Sequence, residues 1–244
     1  MKALLLAAGE GQRLRPLTAD RPKPMVPVAG TPMIAYGLSW LRANGVTEVA
    51  INTHYKPESI IRFVGDGSAF GLSVRYSPEP TLLGSSGALA PLRDFLYGPD
   101  PFVIAYGDVL TDLRLEPVLA AHREAGADAT IVLTKVDDPR RAGMVELNDG
   151  GWVRRLIEKP GDWPHADAWA NAGIYVLGPR VWDFVPAEGF HDFAFNLFPA
   201  LLDAGGRVLG VPSDALVIDI GSHERLAAAG SLVESGRLVA PRAA

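Results

Sequence analysis

Residues 2–18 read Lys-Ala-Leu-Leu-Leu-Ala-Ala-Gly-Glu-Gly-Gln-Arg-Leu-Arg-Pro-Leu-Thr, an apolar run that enters a Gly-Xaa-Gly turn and emerges basic. The run does not alternate, as expected of a strand buried on both faces in a parallel sheet. It is short for a secretory leader and passes straight into the turn. Gly9 and Gly11 let the chain turn sharply and aim backbone N–H groups at a phosphate or a base. The loop beyond, 13–23, carries Arg13 and Lys23 and is stiffened by Pro16 and Pro22. Two rival motifs fail. A dinucleotide fingerprint needs a small residue three places after Gly11, where Leu14 stands, and an acid after the second strand, which ends in Ile51-Asn52. A P-loop needs Gly-Lys followed by Ser or Thr, which does not occur. Spacing alone does not separate a phosphate-holding loop from a solvated one.

Outward from this loop, apolar runs predict strands at 46–52, 72–76, 102–106 and 129–135. Helical patterns fall at 57–64, 86–97 and 116–125. Thr31-Pro32 opens a helix with proline at its first position and Asn44-Gly45 closes it. Segments 144–147 and 152–158 flank Asn148-Asp149-Gly150-Gly151 and read as an antiparallel hairpin. A strand at 172–177 and helices at 192–204 and 222–234 complete the pattern. The expectation is an α/β fold with a doubly wound, mostly parallel, Rossmann-like sheet and an antiparallel extension, as one domain over 1–244. No repeat, low-complexity tract or linker is visible, and Trp163-Pro164-His165 falls in a loop.

Three further groups carry chemistry. Asp108 follows the strand at 102–106 and Asp219 follows Leu216 to Ile218, so both acids fall at strand carboxyl ends, where open α/β sheets place ligands. Together they could grip one hard cation, and either alone could be a turn residue. Leu83-Gly84-Ser85-Ser86-Gly87-Ala88 could meet a flat ligand edge, but spacing favours Ser85 or Ser86 as a plain helix cap. Glu158-Lys159-Pro160 sets a carboxylate for hydroxyls beside an ammonium for a phosphate, against the plainer reading of a surface ion pair. Asp112 reads as a cap for the next helix. His54, His122, His191 and His223 show no metal-ligand spacing.

Composition bounds the rest. The 244 residues are 48% hydrophobic, with a formal net charge of −5 and no cysteine. A large core is affordable, a basic field for nucleic acid or an anionic membrane is missing, and disulfides, thiolate metal sites and a cysteine nucleophile are excluded. No apolar stretch reaches the ~18 residues of a spanning helix. A soluble, cytoplasmic protein with no nucleic-acid or membrane partner is expected, a homodimer being compatible.

The run 6–18, followed by Pro22-Lys23-Pro24-Met25-Val26-Pro27-Val28, resembles the signature of the sugar-phosphate nucleotidyltransferases, the NDP-sugar pyrophosphorylases, over nearly the whole chain. Pro24-Met25 is closer to the guanylyltransferase and muramate uridylyltransferase branches than to the thymidylyltransferases, and the Leu-Gly-Ser-Ser-Gly-Ala window is similar to that of the mannose 1-phosphate guanylyltransferases, so the resemblance is nearest to the mannose and heptose 1-phosphate guanylyltransferases. The resemblance implies that Leu6, Ala8, Gly9, Gly11, Gly84, Ser85 and Gly87 hold the nucleotide and that Arg13 and Lys23 act on its phosphates. It implies Mg²⁺ on Asp108 and Asp219, with Gly143, Glu158, Lys159 and Asn171 around the sugar 1-phosphate. Arg140-Arg141-Ala142-Gly143 departs from the commoner aromatic-glycine pair, which leaves the sugar open. The implied reaction is transfer of a nucleotidyl group from an NTP, by preference GTP, to a mannose- or heptose-type 1-phosphate. The alternatives are a UTP-dependent enzyme for a hexosamine or muramic acid 1-phosphate, a noncatalytic nucleotide-sugar sensor and, disfavoured by Leu14, a dehydrogenase. Many relatives carry a C-terminal left-handed β-helix, whereas this sequence ends 25 residues beyond Asp219, and the expectation is a catalytic domain alone.

Overall fold

The computed structural model describes residues 1–165 and 168–241. In chain order its elements are β1 (Lys2–Leu6), β2 (Pro27–Val28), β3 (Thr31–Pro32), α1 (Met33–Ala43), β4 (Glu48–Thr53), α2 (Pro57–Val64), β5 (Ser73–Pro78), α3 (Arg93–Leu96) and β6 (Phe102–Tyr106). There follow β7 (Val109–Thr111), α4 (Leu115–Ala125), β8 (Ala129–Lys135), β9 (Gly143–Leu147), β10 (Val153–Glu158) and β11 (Trp169–Leu177). The chain closes with α5 (Phe198–Asp203), β12 (Val208–Pro212), β13 (Val217–Asp219) and α6 (His223–Glu234). Its described residues pack as two compact units interleaved in sequence: 1–82, 105–113 and 216–241 form the first, and 83–104, 114–165 and 168–215 the second.

The first unit is the parallel part of the α/β fold. β1 pairs in parallel with β4, and β4 with β5, in unbroken register from Lys2 opposite Glu48 to Thr53 opposite Pro78. Ala3, Leu4 and Leu5 are fully buried, as a strand covered on both faces requires. β7 and β13 form an antiparallel pair, Val109 opposite Asp219. Val26, Val28, Met33, Tyr36, Leu110, Ile220 and Ala229 pack into one cluster beneath it. α2 spans the predicted residues, while Pro32 caps α1 from an extended conformation instead of entering it. Thr31 and Pro32 are engaged with Val28 and Pro27 in the β2–β3 ribbon, so the helix starts one residue later.

The second unit carries the antiparallel extension. β9 pairs with β10, β9 with β11, and β11 with β8, all antiparallel, while β12 joins β8 in parallel. The β9–β10 turn is the predicted one: Asn148 Oδ1 accepts from the N–H groups of Gly150 (2.9 Å) and Trp152 (3.0 Å). The helix expected over 86–97 is instead a 3₁₀ segment, Gly87–Leu92, followed by α3. Pro91 has no N–H to give an α-helix, and the tighter turn accommodates it. The helix expected over 192–204 begins as a π-turn, Phe193–Leu197, in which Leu197 N–H reaches back to Asp192 O. Of the Trp163-Pro164-His165 loop, Trp163 and His165 stack edge to face, centroids 4.9 Å apart.

Candidate active site

The acids and the basic loop belong to the first unit. β6 ends beside β1, where Gly107 N–H donates to Leu6 O at 2.8 Å. A Cβ on Gly107 would stand 2.7 Å from that same oxygen, so only glycine admits this approach, and it delivers Asp108 to the strand end. Asp219 is the last residue of β13, and Ile220 N–H donates to Asp108 O at 2.9 Å. Lys23, 8% exposed, is clamped in a short 3₁₀ turn. Its ammonium contacts Asp108 Oδ2 and lies 3.6 Å from Asp219 Oδ1. Gly11, at φ 67°, lies against this lysine: a Cβ there would be 2.7 Å from Lys23 Cβ. Thr18 Oγ1 donates to Gly11 O and closes the loop. Arg13 reaches over Gly221, whose added Cβ would stand 3.0 Å from Arg13 Nη2 and 3.1 Å from Asp219 Oδ2. Arg13, Lys23, Asp108 and Asp219 are therefore brought together.

The electrostatics of this cluster are strained. Burial, with the Asp108 carboxylate beside it, pushes Asp219 above the usual aspartate value, against the opposing charges of Lys23, Arg225 and Arg13. The Asp219 side chain is 39% exposed as a whole, yet its Oδ1 is sealed from solvent and accepts no hydrogen bond. Two carboxylates, one with a sealed and unsatisfied oxygen, fit a hard dication that takes oxygen ligands and leaves room for phosphate and water. Among the described residues no group of three or more His, Asp or Glu could hold a metal, so a cation between these two acids would need phosphate or water oxygens to complete its shell.

The rest of the loop is set by residues that local sequence did not mark. Ala7 N–H, beyond the end of β1, donates to Asn52 Oδ1 at 2.7 Å, and Asn52 Nδ2 donates to the buried Glu79 at 2.8 Å. Ala8 is buried behind this relay, and Gly9 has open space where a Cβ would be. Arg225 Nη1 donates to Asp219 Oδ2 at 3.2 Å from the first turn of α6. Its signal was available, because a cation in a first turn opposes the helix dipole and needs another reason to be there. Asp112 is not a helix cap: its Oδ1 accepts from Leu216 N–H at 2.8 Å, and Arg114 occupies the cap position of α4.

The second unit holds the other predicted groups. The window at 83–87 is bound to residues 191–193. His191 O accepts from Ser86 N–H (3.0 Å) and Gly87 N–H (2.9 Å), and His191 N–H donates to Leu83 O. Gly84, at φ 80°, has the His191 backbone where a Cβ would go. Neither serine side chain caps the 3₁₀ segment it precedes: Ser86 stands at its N-cap position but its Oγ meets His191 Nδ1 at 2.9 Å, while Ser85 Oγ donates to Asp192 Oδ2 at 2.6 Å and accepts from Phe193 N–H at 3.0 Å. These partners are more than a hundred residues away in sequence, so nothing local announced them. On the extension, Gly143 opens β9 opposite Glu158 at the end of β10, and a Cβ on Gly143 would stand 2.7 Å from Glu158 Oε2. Lys159 takes a left-handed φ of 46°, its N–H tied to Ala142 O, with Nζ 3.5 Å from Glu158 Oε1. Asn171 Nδ2 donates to Tyr175 OH at 2.7 Å, and its Oδ1 accepts from Gly173 N–H.

A glycine turn after the first parallel strand, with a lysine and two aspartates at strand carboxyl ends, defines a phosphate-handling α/β protein. Residues 2–236 match the nucleotidyl transferase family, and the chain belongs to it. It is 36% identical over 233 residues to a UTP–glucose-1-phosphate uridylyltransferase of Synechocystis, covering 91% of this chain and 60% of the relative. It is 37% identical over 223 residues to a mannose-1-phosphate guanylyltransferase of Mycobacterium tuberculosis, covering 91% and 61%. The chain thus spans about 60% of the length of these curated relatives. Among solved structures, HddC from Yersinia pseudotuberculosis complexed with GMP-PN superposes with a TM-score of 0.81 at 25% identity, covering 94% of this chain and 98% of that one.

Proposed function

We propose that this chain transfers a nucleotidyl group from an NTP, GTP by preference, to a mannose- or heptose-type sugar 1-phosphate, giving an NDP-sugar and pyrophosphate. The observation that carries this reading is the Lys23 ammonium held against Asp108 and Asp219, with Arg13 over Gly221, beside a glycine turn. Guanylyltransferase relatives and the GMP-PN complex of HddC support the guanine preference. The backbone at Leu6, Ala8, Gly9 and Gly11 would cradle the nucleotide, and the window at Gly84, Ser85 and Gly87 would meet its base. Glu158 and Asn171 would orient the sugar hydroxyls, Gly143 would leave the ring room, and Lys159 would hold the phosphate.

A phosphate monoester dianion is already a nucleophile near neutral pH, so the step needs alignment and charge neutralisation more than a general base. The sugar phosphate oxygen attacks the α-phosphorus and the bond to the β-phosphate oxygen breaks, releasing pyrophosphate. Arg13 and Lys23 stabilise the charge that grows on transferred and leaving groups. Asp108 and Asp219 would hold Mg²⁺, which supplies Lewis-acid neutralisation of the phosphates when bound. No covalent enzyme intermediate is needed.

A UTP-dependent reading has its own support in the Synechocystis relative. The test is a matrix of GTP, UTP, ATP, CTP and dTTP against mannose, heptose, glucose, N-acetylglucosamine and muramic acid 1-phosphates, with Mg²⁺ and inorganic pyrophosphatase. Phosphate release with GTP and mannose or heptose 1-phosphate is the expected result. Release only with UTP moves the enzyme to the uridylyl branch, and silence throughout rejects the mannose- and heptose-type reading in favour of a sugar outside the matrix or a sensor.

A further inference from the structure

The Lys23 ammonium does more in this structure than wait for a triphosphate. It touches Asp108 Oδ2 and stands 3.6 Å from Asp219 Oδ1, which places one positive charge against both carboxylates at once. The two partners are not held equally. The distance to Asp219 Oδ1 is an ion-pair distance too long for a hydrogen bond, and that oxygen is sealed with no donor of its own. An unsatisfied buried carboxylate oxygen is costly, and a dication at ~2.0–2.1 Å would serve it better than the ammonium does. Arg225 is placed differently, because its Nη1 donates to Asp219 Oδ2 at 3.2 Å and to the Asp219 carbonyl, not to the sealed Oδ1. The lysine backbone sits between Pro22 and Pro24 in its 3₁₀ turn, its Cβ lies close to Gly11, and the ammonium is carried at the end of a flexible four-carbon stem.

We propose that Lys23 is a placeholder for the divalent cation: its ammonium bridges the two aspartates in the nucleotide-free protein and leaves when nucleotide phosphates draw it away. Metal and nucleotide then enter together, because each removes an obstacle to the other. This rests on the reading of Asp108 and Asp219 as the cation pair. It makes Lys23 an antagonist of metal binding before substrate arrives and a phosphate ligand afterwards.

The test is Mn²⁺ binding without nucleotide, followed by the electron paramagnetic resonance signal of the free ion, in the wild type and in Lys23→Met, Arg225→Met and Asp108→Asn. Lys23→Met is expected to bind Mn²⁺ at least ~10-fold more tightly than the wild type, the scale on which neighbours of metal ligands act. Arg225→Met is expected to gain much less. No gain in Lys23→Met overturns the placeholder, and so does an equal gain in Arg225→Met, which would make the effect one of general charge. Undiminished Mn²⁺ binding in Asp108→Asn would instead remove the two-aspartate cation site and the placeholder with it. Should Lys23→Met fail to fold, the wild type answers by acetic anhydride labelling and mass spectrometry. Saturating Mn²⁺ should raise acetylation of Lys23, and unchanged labelling overturns the idea.

Discussion

At the scale of the residue, the site is a set of charges whose separate removal has separate signatures. Lys23→Ala or Asp108→Ala should lower kcat by ~10²-fold or more, the usual loss when one preorganised electrostatic contact is taken away. Steady-state assays with the preferred substrate pair check this, and near wild-type kcat in both variants rejects the catalytic assignment. Gly143→Ala pushes a methyl group to 2.7 Å from Glu158 Oε2, so the carboxylate must move. The expected outcome is a KM for the sugar 1-phosphate raised by ~10-fold, the size of one displaced hydrogen-bonding group, with the KM for the NTP unchanged. Arg13, Lys23, Asp108 and Asp219 stood out as a basic loop and two strand ends, but position alone left a solvated loop and plain turn residues open, and only the resemblance to the nucleotidyltransferase signature implied their roles. Asn52 and Glu79 were not, since their roles depend on which strand neighbours which.

At the scale of the element, Asp192 shows how one residue serves two. Its Oδ1 accepts from Ala194 and Phe195 N–H at the start of the π-turn, while its Oδ2 accepts from Ser85 Oγ. Asp192→Ala should cost about 1–2 kcal/mol of stability, as the loss of a helix cap does, and should raise the KM for the nucleotide. Asp192→Asn keeps a capping oxygen and loses the second acceptor, so thermal melts should recover while the KM stays high. Recovery of both would show that Ser85 needs no such anchor. Over 86–97 the apolar pattern suits one helix, yet Pro91 divides it into a 3₁₀ segment and α3, so the missing N–H outweighs periodicity there.

At the scale of the whole molecule, the site is held at a cost to stability. Because the folded-state pKa of Asp219 is raised, its contribution to stability is fully present below the ordinary aspartate value of 3.8 and is lost as pH rises through the raised value. Asp219→Asn should therefore melt higher than the wild type at neutral pH in the presence of EDTA, and that advantage should vanish below pH 3.8. The variant should be inactive, the trade expected where function places like charges together. Melting curves across pH decide it, and equal melting temperatures at neutral pH would reject the account. His122 acts oppositely: burial lowers its pKa beneath 6.5, so it contributes stability above that value and forfeits it as pH falls further.

The sequence by itself determined the parallel strands, the β9–β10 hairpin and the glycine turn, and it put Asp108 and Asp219 at strand ends. All of these depend on side-chain periodicity, turn chemistry or position at a strand end, which are local properties of the chain. Tertiary structure alone decided that Lys23 lies against two aspartates 85 and 196 positions away, that Arg225 holds Asp219, and that His191 and Asp192 secure the window at 83–87. Such pairings follow from strand order and from which loops the topology carries to one strand end. No spacing along the chain encodes them.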